Sequence, residues 1–75
     1  MNILKKNNNM KAYLVKRPAN DWLQDYAMVV IAKDELHAER RARLSSKDFK
    51  KCQEITIQEI DMNEEQCVLI ANTGA

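Results

Sequence analysis

The sequence predicts an α+β fold: a ββαββ two-layer sandwich with a small, mainly antiparallel sheet and one helix on one face. Three observations predict it. Two β-forming runs, Met10–Arg17 and Tyr26–Ala32, precede a stretch free of Gly and Pro that begins after Asp34. An alternating run, Glu54–Asp61, follows that stretch, and a short apolar run, Cys67–Ala71, closes the series. The whole chain is 75 residues with 45% hydrophobic residues and a net charge of +1. That supports a single small core, and it excludes a cleft between two domains. No apolar run approaches the ~20 residues of a membrane helix. No apolar stretch of a secretory signal follows the lysines of MNILKKNNN.

Residues 1–9 read as a polar leader outside the domain, and residues 10–75 as the single domain. Met10 is itself a candidate translation start, so the sequence leaves Met1 and Met10 both open. In Met10–Arg17, Tyr13 and Val15 share one face while Ala12 and Leu14 share the other, the pattern of a strand. Pro18 ends it, because proline lacks the N–H that a ladder needs. Residues 18–25 form a connection. Asp21 and Gln24 have capping-box spacing for one helical turn through Trp22 and Leu23.

Tyr26–Ala32 is apolar on both faces, as in an interior strand or one paired into an oligomer. Asp34 is the expected N-cap of a helix over residues 35–44, and Glu35 suits its first turn. Ala38 and Ala42 make a small-residue stripe for close packing on the sheet. Leu36 and Leu44 fall off that stripe. Residues 45–48 break the pattern, and Phe49 is expected to plug the core from a loop. In Glu54–Asp61, Ile55 and Ile57 share a face. Asn63–Glu65 turns the chain into a fourth strand at Cys67–Ala71, paired as a hairpin with the third. That hairpin would set Cys67 opposite Ile60 and Cys52 more than ~20 Å away. A disulfide needs Cα atoms within about 7 Å. The expectation is two free thiols in a reducing compartment.

MKAYLVKR, an aromatic turn ending in Asp25-Tyr26, MVVIAKDELHAERR, EITIQEI and VLIANTGA together resemble a family of small uncharacterised phage and prophage proteins. Those begin with a MK-x-YLV strand, run a VV-x-A strand into an acidic, Arg-containing helix, and end in an apolar strand with an F-N-A-G-like tail. The resemblance spans residues 10–75. It departs at Asn72–Ala75, which lacks the aromatic residue, and in the basic sequence after the helix. It implies a phage or prophage origin and a cytoplasmic location in a bacterial host cell. It carries no catalytic residues over.

The residues themselves point away from catalysis. His37 has no matching nucleophile for triad chemistry. Spacing pairs neither Tyr13 nor Tyr26 with a carboxylate as an acid/base couple. The only Gly is Gly74, so there is no phosphate loop. Two separated cysteines and His37 fall short of the four ligands of a zinc site. The expectation is a non-enzyme without metal or cofactor.

Charge is the unusual feature. Residues 1–51 hold all 12 bases and six of the 11 acids; residues 52–75 hold the other five acids and no base. The two parts therefore carry +6 and −5. The expected function is a non-catalytic phage-type protein-interaction module that acts by binding a protein, either itself or a host factor, with binding or inhibition of that host factor as its role. Trp22, Leu23 and Tyr26 are its apolar anchors, and Arg40, Arg41 and Arg43 set its electrostatic complementarity. With one helix covering one face, the other face is expected to leave Met28, Val30, Tyr13 or Ile60 exposed, hence a homodimer. The alternative is a nucleic-acid-binding protein using Arg40, Arg41, Arg43, Lys47, Lys50 and Lys51, against which the near-zero net charge argues.

Overall fold

A computed structural model describes residues 10–18 and 26–70. The expected leader, the Trp22–Leu23 turn and the tail from Ala71 lie outside the described residues. The elements run β1 (Lys11–Lys16), β2 (Ala27–Ala32), α1 (Glu35–Ser45), α2 (Lys47–Lys51) and β3 (Thr56–Glu59). The α+β class stands, as a three-stranded open antiparallel sheet with helices packed on it.

The sheet order is β2-β1-β3. β1 is therefore the central strand, and four consecutive residues, Ala12 to Val15, are buried. β2, which reads as an interior strand, is an edge. Its pairing with β1 sets Tyr13 opposite Val30 and Val15 opposite Met28, and β3 sets Ile57 against Val15 from the other side. These side chains make one face, and α1 packs across it, touching all three strands. The core is Tyr13, Val15, Val30, Ala32, Ala38, Ala42 and Phe49, with Met28, Ile55 and Ile57 packed against it.

α1 starts where Asp34 caps it, its carboxylate accepting the His37 N–H at 2.9 Å. Ala38 and Ala42 are its buried residues, so the helix approaches the sheet closely along the expected stripe. Leu36 and Leu44 point to solvent. Phe49 does fill the core, but from a helix rather than a loop. Ser46, itself buried, ends α1 by donating its N–H to the Ala42 carbonyl at 3.2 Å. It caps α2 by accepting the Phe49 N–H on its hydroxyl at 3.4 Å. One residue thus closes one helix and opens the next.

The fourth strand does not form over Cys67–Ile70. A closed loop replaces the hairpin. The Asn63 N–H donates to Asp61 Oδ1 at 2.9 Å, and Gln66 Nε2 donates to the Asp61 carbonyl at 2.6 Å. Cys52 and Cys67 are both free thiols.

Candidate functional site

The phase of the β-ladder decides what β2 shows to solvent. The Arg17 N–H donates to the Tyr26 carbonyl at 2.9 Å, so that pair is hydrogen-bonded. In an antiparallel ladder such pairs alternate with unbonded ones. Following the register, Met28, Val30 and Ala32 turn their backbone groups to β1, and Ala27, Val29 and Ile31 turn theirs outward. The outward residues are also on the sheet face away from α1. Val29 is 59% exposed and Ile31 61%, whereas Val30 between them is 5% exposed. The expected exposure of Met28, Val30, Tyr13 or Ile60 is thus corrected. Tyr13 and Val30 are core, Met28 and Ile60 are half-buried, and Val29 and Ile31 are the open pair. A helix covers one face of a strand, and the sequence reading chose the wrong parity for Tyr13, Met28 and Val30, whereas Ile60, bonded to Ala12, does lie on the open face.

Beside this edge lies a groove of about 250 Å³ between the end of β2 and α1. Met10, Ile31 and Leu44 supply apolar surface, and Lys33, Arg40 and Arg41 supply cations. Lys33, Arg40 and Arg41 are exposed and form no ion pair among the described residues. His37 also lines it, with its ring Nδ1 2.7 Å from Asp34 Oδ1. The His37 backbone N–H, and then its ring, hold the Asp34 carboxyl below its ordinary value of 3.8.

The expected interaction residues separate. Arg40 and Arg41 face the groove. Arg43 does not: it turns inward and holds the two helices together. Its guanidinium pairs with Glu39 at 3.0 Å and donates to the carbonyls of Phe49, at 2.8 Å, and Cys52. Those carbonyls lie at the end of α2, where a cation suits the unpaired oxygens. Tyr26 is half-buried and its carbonyl is used by Arg17. Trp22 and Leu23 lie outside the described residues.

The block Arg40–Lys51 does not form one basic face. At ~100° per residue, Arg41 and Arg43 sit about 160° apart around α1, on opposite flanks of the inward stripe. Lys47, Lys50 and Lys51 belong to α2 and are exposed there, on the flank that Arg43 joins. Among the described residues, no group of three His, Cys, Asp or Glu side chains is placed to hold a metal ion. No helix among them is long and apolar enough to cross a membrane.

Sequence reasoning missed Val29, Ile31, Lys33 and Met10 as members of the site. The available signal was Ala32. A small residue opposite the Ala38–Ala42 stripe marks the close approach of helix to strand, and its parity assigns Val30 inward and Val29 and Ile31 outward.

No protein-family model, curated protein or solved structure matches this chain.

Proposed function

We propose that this protein is a non-catalytic interaction module that receives an extended, acidic and apolar polypeptide segment along the free edge of β2. One observation carries the reading: Val29 and Ile31 are open on a strand edge that pairs with no other strand among the described residues, directly beside Lys33, Arg40 and Arg41. The backbone groups of the edge supply hydrogen bonds, the two aliphatic side chains supply apolar area, and the three cations supply sign selection. An exposed apolar strand edge is costly to keep unless it is used, because it invites pairing with another chain. The phage or prophage origin and the cytoplasmic location belong to this same proposal and rest on the resemblance of residues 10–75.

Fluorescence anisotropy tests it. The probes are a labelled acidic peptide with alternating aliphatic residues, its scrambled version and a DNA duplex, each at low and moderate salt. The expected result is binding of the alternating peptide that Ile31→Lys abolishes. Salt-dependent binding of the duplex, weakened by Lys47, Lys50 and Lys51 substitutions and not by Ile31→Lys, would replace this reading with nucleic-acid recognition. The split of the basic residues around α1 is the reason that outcome is the less favoured one.

A further inference from the structure

Resting on that reading, we infer that the segment docking on the β2 edge is Cys67–Ile70 of a second copy of this chain. Two copies exchange these segments reciprocally, and each gains a fourth strand in the partner's sheet. Four observations meet here. Cys67–Ile70 is an apolar run of β-forming composition, yet it belongs to no sheet, and among the described residues its backbone makes no hydrogen bond to another segment. Ile70 is 77% exposed and Leu69 37%. The β2 edge has outward backbone donors and acceptors at Ala27, Val29 and Ile31 that form no hydrogen bond among the described residues. Finally, charge selects the match. The segment is led in by exposed Asp61, Glu64 and Glu65, and the groove beside β2 offers Lys33, Arg40 and Arg41.

The competing placements are worse on the same grounds. Pairing Cys67–Ile70 with its own β3 is not the arrangement found: the chain closes a loop from Asp61 to Gln66 and the segment stays out of the sheet. Residues 1–9 carry Lys5 and Lys6 and no acid, which sets cation against cation at the groove. Two β2 edges paired directly would leave both acidic segments unmatched.

The test is mass in solution, read by light scattering over a range of concentrations, with a single chain at 8.7 kDa. The wild type is expected to reach twice that mass. Val29→Pro removes the central outward N–H of the edge without touching the β1 ladder, and edge strands accept proline there. Val68→Pro/Leu69→Pro disables the donated segment in the full-length chain. Each variant alone is expected to be a monomer. Mixed, they are expected to pair, because one retains the segment and the other the edge. Arg40→Glu/Arg41→Glu, at exposed helix positions, gives a route that spares the sheet. It is expected to weaken association by about tenfold or more, and Glu64→Arg/Glu65→Arg in the same chain to restore it. A wild type that stays monomeric at every concentration overturns the inference. So does a dimer that survives Val68→Pro/Leu69→Pro, or a charge reversal without rescue. A free peptide of residues 61–75 separates this failure from that of the broader reading. If foreign acidic peptides bind the edge and this one does not, only the self-exchange falls.

Discussion

Val29 and Val30 are the same residue type on the same strand, one position apart, and they live in different environments. Val30 is buried against Tyr13, Ala38 and the Phe49 cluster, while Val29 stands open on the other face. The difference is not in propensity or hydrophobicity. It lies in where α1 and α2 pack: among the described residues, helices cover one face of the sheet. The covered face holds the fold together. On the open face, β1 still buries Ala12 and Leu14, so exposure is concentrated on the edge strand, at Val29 and Ile31. Large stability effects should therefore come from the covered face and large association effects from the open one.

The sharpest way to break the covered face is Phe49→Ala. Phe49 is fully buried and reaches the core from a five-residue helix. The loss should be about 3–5 kcal/mol. For a chain this small that leaves little or no cooperative unfolding transition, which urea titration followed by circular dichroism will show. Ala42→Leu asks whether the helix stripe is as close to the sheet as its full burial says. Overpacking there should cost about 1–3 kcal/mol, and a loss well under that range would mean the interface can spread to admit the side chain. Ser46→Ala removes the hydroxyl that caps α2 and should cost about 1 kcal/mol by the same titration.

Asp34 gives a smaller, pH-dependent effect. Its carboxyl is held below its ordinary value by the His37 N–H first and then the ring. A carboxylate depressed in the folded state stabilises above its unfolded value of 3.8 and loses that contribution as pH falls through the folded value. Wild type and Asp34→Ala should therefore differ in melting temperature at neutral pH and converge in strong acid. A difference that persists unchanged at low pH would show that the cap acts without its charge. At the small end, Val29→Thr and Ile31→Thr should stay within about 0.5 kcal/mol of wild-type stability. If either unfolds the protein, the open face is part of the core after all.

Much of the fold was legible. β1, the Asp34 cap, the Ala38–Ala42 stripe and the burial of Phe49 each follow from local pattern, because each is decided within a few residues. α2 was missed because residues 45–48 look like helix breakers. Ser46 is one, but it also starts the next helix, and only the turn toward Phe49 reveals the second role. Arg43 was read as an exposed cation because its charge says nothing about which carbonyls lie within reach. The candidate site was half legible: Arg40 and Arg41 were named, but Val29 and Ile31 were assigned to the wrong parity, and Trp22 and Leu23 lie outside the described residues.

The 75 residues determined by themselves that the fold is α+β, that one helix would pack by alanines, and that positive charge precedes negative along the chain. Those are consequences of local propensity and of order in the sequence, and they need no knowledge of neighbours. The tertiary structure decided that β1 lies at the centre, that β2 is an edge, and that Cys67–Ile70 does not pair with β3. These depend on which long-range pairings win, through backbone hydrogen bonds common to every residue and through charge that matters only once segments meet. The β2 edge and its basic groove are products of that competition.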